Sequence, residues 1–156
     1  MKKACDIEGL PGRFSSRLML RNADTDQFRH INNAAVATLL EEARMAIFTE
    51  GGLRDSMQDR HVVVAHLAID FIAEIFYPGE IEVRTMPVST GNTSFELTQA
   101  LYAGEKLCAR ASATCVLMDS NQSRPTPLPP RLRQHLAPPV PGTCGDTGRS
   151  STGETM

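Results

Sequence analysis

Between Arg13 and Arg21 the chain alternates, with Phe14, Ser16, Leu18 and Leu20 on one face and Arg13, Ser15, Arg17, Met19 and Arg21 on the other. A period of two predicts a half-buried strand. From Asn33 to Glu50 the sequence is rich in Ala, Leu, Met and Glu, holds no Gly or Pro, and runs into Gly51-Gly52. That pattern predicts a helix with a glycine stop. Its apolar positions (Ala34, Ala35, Val36, Ala37, Leu39, Leu40, Ala43, Met45, Ala46, Ile47 and Phe48) extend around most of the circumference, as in a helix buried on several sides.

Four runs follow that suit a sheet wrapped around such a helix. Val62 to Phe76 is long and rich in Val and Ile, Glu80 to Ser89 and Glu105 to Asp119 alternate, and Thr93 to Ala103 alternates less cleanly. The breaks, Tyr77-Pro78-Gly79, Thr90-Gly91-Asn92 and Ala103-Gly104, are turn formers, and connections this short imply antiparallel hairpins. In the last run Leu107, Ala109, Ala111, Ala113, Cys115 and Leu117 share a face, small enough for a helix to come close. The order β-α-β-β-β-β predicts an α+β fold, a curved antiparallel sheet around one long central helix.

At 156 residues the chain suits one domain. We place it at residues 12–120, followed over 121–156 by a Pro-rich extended segment and a flexible tail, because seven of the ten prolines lie at or beyond Pro125. A net charge of −2 and an aromatic content of 5% argue against a nucleic-acid binder. A polyanionic ligand would need a local patch drawn from Arg84, Lys106, Arg110, Arg124, Arg131 and Arg133. No apolar run is long enough to cross a membrane, and no apolar stretch follows Lys2-Lys3 to make a secretory signal. Cys5, Cys108, Cys115 and Cys144 lack CxxC spacing, which points to free thiols in a reducing, cytoplasmic setting. No metal or cofactor site is expected: His61 and His66 fall an odd number apart on one strand, hence on opposite faces, and His135 lies in the tail.

The chemistry concentrates in Arg21 to Asn33, where two carboxylates, an imidazole and two amides precede a helix start. Unpaired N–H groups and the positive end of the helix dipole at such a place stabilise an oxyanion. Asp26 is either a reacting carboxylate or an Asx-turn former, and His30 either a reacting group or a turn histidine. Asp24 reads as structural, paired with a nearby Arg, and Asn32 as the helix cap. Glu41 and Arg44 have i,i+3 spacing for an ion pair.

Asp24-Thr25-Asp26, His30-Ile31-Asn32-Asn33 and Leu40-Glu41-Glu42-Ala43-Arg44, supported by Ile69-Asp70-Phe71, Gly91 with Thr93-Ser94, and Arg124 to Pro130, resemble the hotdog-fold acyl-CoA thioesterases of the 4-hydroxybenzoyl-CoA thioesterase-like branch. The resemblance implies a hotdog fold, an acyl-CoA or acyl-carrier-protein thioester substrate, and a pocket between subunits of a homodimer or homotetramer. It makes Asp26 the nucleophile or general base and Asn33 the source of a backbone oxyanion donor, with His30 in support. Asn32, Thr93 and Ser94 become substrate-binding candidates. Two departures stand out: Arg29 occupies a position where the family commonly has Gly, which threatens to strain the turn or obstruct attack, and Val36 replaces a common aromatic, which widens the acyl pocket. A noncatalytic thioester-binding module is the reading from another class.

Overall fold

A computed structural model describes residues 13–49 and 53–138. Strand β1 (Phe14–Met19) leads through a short 3-10 turn (Asn22–Asp24) to helix α1 (Asn33–Thr49) and the short helix α2 (Leu53–Met57). Strands β2 (Arg60–Phe71), β3 (Glu80–Thr90), β4 (Ser94–Ala103) and β5 (Lys106–Asp119) follow, then β6 (Arg124–Pro125) and helix α3 (Pro130–His135). All pairings are antiparallel in the order β1-β3-β4-β5-β2, with β6 beside the end of β5. This is the α+β hotdog arrangement, a curled sheet around a helix. The Gly51-Gly52 stop lies outside the described residues.

Helix α1 presents Val36, Leu39, Leu40, Ala43, Arg44, Ile47 and Phe48 to the sheet. All but Arg44 meet Val83 and Ile81 of β3, Leu97 and Leu101 of β4, and Ala109, Ala111 and Ala113 of β5 in two apolar clusters. Each large aliphatic side chain removed from water here contributes about 1.5–3 kcal/mol. The opposite face, with Ala34, Met45, Glu41 and Glu42, is exposed in the single chain. The expectation of burial on several sides is thus corrected: alanine is small and uncharged, so its presence does not oblige a face to be covered.

Two register shifts change which residues face inward. One falls between Val64 and His66, leaving Ala65 as an extra residue. His61 and His66 therefore oppose Met118 and Thr114, an even number apart on β5, and lie on the same face of the sheet rather than on opposite faces. They sit roughly 13 Å apart along the strand. The second shift falls where Leu101 and Tyr102 oppose Ala109 and Leu107, leaving Cys108 as the extra residue. Cys108 turns into the main core beside Ala109, while Leu107 leaves that face and packs with Ala100 and Tyr102.

Past β5, residues expected to be extended form α3, and Leu128, Leu132 and Leu136 are buried in the second cluster. Pro129 precedes the helix and Pro130 opens it, a position where the missing N–H costs nothing. The Arg13 guanidinium donates to the carbonyl of Ala137, tying the end of this segment to the start of β1.

Candidate functional site

The chain between β1 and α1 is folded around its own carboxylates. Asp24 is buried and takes two hydrogen bonds from the Arg21 guanidinium, at 2.8 and 3.1 Å, so the expected Asp–Arg pairing is present. The Arg21 hydrogen bonds hold the Asp24 carboxyl below its usual range, against the opposing effect of burial. The Asp24 backbone carbonyl accepts from Asn32 N–H at 2.8 Å, closing the loop over its own length.

Within that loop Asp26 performs the turn role that sequence reading set against catalysis. Its Oδ1 accepts from the N–H groups of Phe28 at 2.8 Å and His30 at 3.2 Å, and Arg29 adopts φ 65° at the bend. Both bonds fall on Oδ1; Oδ2 takes no part in the turn. Arg29 occupies the left-handed region that Gly enters without steric cost, which explains why glycine suits this position. Its side chain is exposed and does not line the cavity described below.

Asn32 caps α1, its Oδ1 accepting from Ala34 N–H at 2.8 Å. Val36 N–H, the first that can reach back to a carbonyl at helical spacing, donates to Asn32 O at 3.0 Å. The Asn33 N–H belongs to the first turn, where no intrahelical carbonyl is in reach.

These groups meet at one cavity of about 240 Å³, lined by Asp26, His30, Ile31, Asn33 and Val36 from the loop and helix, Phe71 to Ile75 from the chain leaving β2, and Cys108 and Ala109 from β5. Asp26, His30 and Asn33, singled out in sequence, are brought together. Val36 forms part of the wall, where a branched aliphatic leaves room that a ring would fill. Thr93 and Ser94 are elsewhere in the single chain: Ser94 pairs with Val116, whereas the cavity wall at Ala109 pairs with Leu101, roughly 23 Å further along β5. Among the described residues no group of three His, Cys, Asp or Glu side chains is placed to hold a metal ion.

Sequence reading missed the β2–β3 connection. Val62 to Phe76 looks like one strand, but β2 ends at Phe71, and the N–H groups of Ile72 and Ala73 both turn to the carbonyl of Cys108, at 2.9 and 3.1 Å. The extra residue on β5 supplies that acceptor. The released segment crosses to the loop, where Ile31 N–H donates to Ile75 O at 2.8 Å. It brings Glu74 Oε1 to 3.2 Å from His30 Nδ1 and sets the Phe76 ring edge-on to the imidazole, centroids 4.8 Å apart. The charged residue at position 74, set between Phe71-Ile72-Ala73 and Ile75-Phe76, was the available signal.

Arg44 also differs from expectation. It is 2% exposed and donates to Gln99 Oε1 at 2.8 Å instead of pairing with Glu41 on the helix surface. Gln99 Nε2 in turn reaches Leu40 O at 3.0 Å and Thr85 Oγ1 at 3.1 Å. Burial pushes the Arg44 guanidinium down and the nearby Cys115 thiol up to about 11, so that thiol stays protonated at neutral pH.

With this geometry in view, comparison places the chain in a family. Residues 20–136 match the thioesterase-like superfamily, and the chain belongs to it. A solved thioesterase from Thermus thermophilus, complexed with coenzyme A and Zn, is 25% identical, covers 81% of this chain and 93% of its own, and superposes with a TM-score of 0.71. A predicted thioesterase from Bacillus stearothermophilus is 26% identical, with 81% and 98% coverage and a TM-score of 0.71. The Bacillus subtilis protein YsmA is 26% identical over 94 residues, 60% of this chain; the match spans only 62% of that relative's length. Thioester hydrolysis is the reaction class this membership supports.

Proposed function

We propose that the protein hydrolyses an acyl-CoA thioester to the free acid and CoA, with Asp26 as nucleophile or general base and the Asn33 backbone N–H as oxyanion donor. The observation that carries this is the convergence of Asp26, His30 and the first turn of α1 on one cavity, with Ile31, Val36 and Ala109 among its other walls. A thioester is undemanding: its leaving thiol has an ordinary pKa of about 8.5, so one carboxylate and one or two donors suffice. Asp26 enters with Oδ1 anchored and Oδ2 available, which aims the carboxylate without a second side chain. The exposed Arg29 leaves the path to it clear, which favours a hydrolase over a binding module.

The working form is a homodimer or homotetramer in the cytoplasm. Support comes from β2, a twelve-residue edge strand whose Val64, together with the adjoining Phe71, Ile72 and Phe76, is exposed in the single chain. Long apolar edges are normally covered, and a second copy would cover this one beside the cavity. Thr93 and Ser94 reach a cavity only if a partner brings them there, and Asn32 serves substrate through the helix turn that it caps.

Thiol detection with a panel of acyl-CoA esters tests the reading. Free CoA should appear with wild type, and folded Asp26→Asn should lose about 10²-fold or more of kcat, as general acid–base or nucleophilic residues do. Wild-type turnover by Asp26→Asn overturns the role of Asp26. Turnover of acyl carrier protein thioesters alone changes the substrate, and tight CoA-ester binding without turnover overturns the hydrolase.

A further inference from the structure

We propose that Glu74 is a positioning residue that fixes which nitrogen of His30 delivers a proton to the departing thiolate, an inference that rests on the hydrolase reading above. Glu74, Ile75 and Phe76 form a short extended segment bridged to the loop at His30–Phe76 and by the Ile31–Ile75 hydrogen bond. Successive side chains of an extended segment point to opposite sides. Ile75 is buried in the core, so Glu74 and Phe76 share the other side, and both meet the His30 ring. Phe76 restrains its tilt and Glu74 its rotation.

An isolated ion pair this exposed contributes little to stability. The consequence is chemical. The Glu74 contact is made to Nδ1, so the proton on that nitrogen is held by the carboxylate, and the exchangeable proton of a charged ring is the one on Nε2. As the C–S bond breaks, its electron pair leaves on sulfur. The sulfur then takes the Nε2 proton, leaving a neutral ring with Nδ1–H still on Glu74; the proton lost by the hydrolytic water restores the charged ring. A thiolate is a stronger base than a neutral imidazole, so that transfer is downhill. Asp26, which lines the same cavity as His30, Glu74 and Cys108, keeps its task at the acyl carbon.

The test compares Glu74→Gln, Glu74→Asp and wild type on an acyl-CoA and on the matching thiophenol ester, whose aryl thiolate leaves without needing a proton. Glu74→Gln should lower kcat on acyl-CoA by about 10–100-fold with KM within about twofold, the scale seen when an orienting partner of a histidine is lost. Glu74→Asp should recover part of it, and the thiophenol ester should show a loss under about threefold. Equal losses on both esters, or none on acyl-CoA, overturn the proposal. Nitrogen-15 NMR of the imidazole is independent of turnover. Neutral His30 should carry its proton on Nδ1 in wild type and shift toward Nε2 in Glu74→Gln. An unchanged tautomer overturns the role of Glu74 even if wild type is active, whereas inactive wild type with the expected tautomer change overturns only the hydrolase reading.

Discussion

The middle and the start of α1 handle polar groups in opposite ways. Midway along the helix, Arg44, Gln99, Thr85 and the Leu40 carbonyl bond to one another inside the core. At its start, Asp26, His30 and Asn33 line a cavity, Asp26 held by its Oδ1 and His30 met at its Nδ1. The closed network directs its hydrogen bonds to register, with only the buried Arg44 Nε left without a partner in it. The open one keeps capacity for a ligand, and it is built from local turn bonds.

Breaking the closed network should have the largest effect. Gln99→Leu strands the buried Arg44 charge and should cost about 2–4 kcal/mol in urea unfolding, while Arg44→Met with Gln99→Leu should recover much of that, since removing both partners avoids an orphan. A double variant no better than the single would mean that the pair is not a unit. At the open end, Asn32→Ala removes the cap and should cost about 1 kcal/mol. It should also lower kcat, since the Asn33 N–H shifts with the turn; unchanged kcat at reduced stability would separate cap from site.

Acid should loosen the open end first. The Asp24 carboxyl lies below its unfolded value, so the stability it contributes is present above about pH 4 and is lost as pH falls through its folded value. Thermal melts of Asp24→Asn should therefore be less stable near neutrality and flatter below pH 4 than wild type; parallel profiles would remove Asp24 as the acid-sensitive group. The smallest effect concerns Arg29. Arg29→Gly relieves a left-handed residue but frees the unfolded chain, for a net gain of no more than about 1 kcal/mol, and kcat should not change because the side chain lies outside the cavity lining. A marked gain in kcat would show that the arginine obstructs attack after all.

The architecture was legible where the hydrophobic period was long and unbroken: β1, α1 and the β3–β5 hairpins fall within a residue or two of where the pattern puts them. The loop chemistry was legible from residue type, down to an arginine partner for Asp24, found to be Arg21, and Asn32 as cap. What alternation cannot reveal is an inserted residue. Ala65 and Cys108 look like ordinary strand positions, yet each shifts the parity beyond it, moving His66 onto the face of His61 and turning Cys108 toward the cavity. Glu74 was hidden for a related reason: an apolar run continues past the point where β2 ends, because the segment that leaves the sheet is itself half in the core. Helix α3 was obscured by its prolines, although Leu128, Leu132 and Leu136 recur at a spacing of four.

The double use of Asp26 has a consequence for reading descent. Asparagine would make the same two hydrogen bonds through its own Oδ1 and tolerate the same bend, so selection for the loop alone is indifferent between the two. A lineage that gave up turnover while keeping the shape would be free to drift from aspartate to asparagine. The exchange of one oxygen for one nitrogen would then be the mark that separates retired members of the superfamily from working ones.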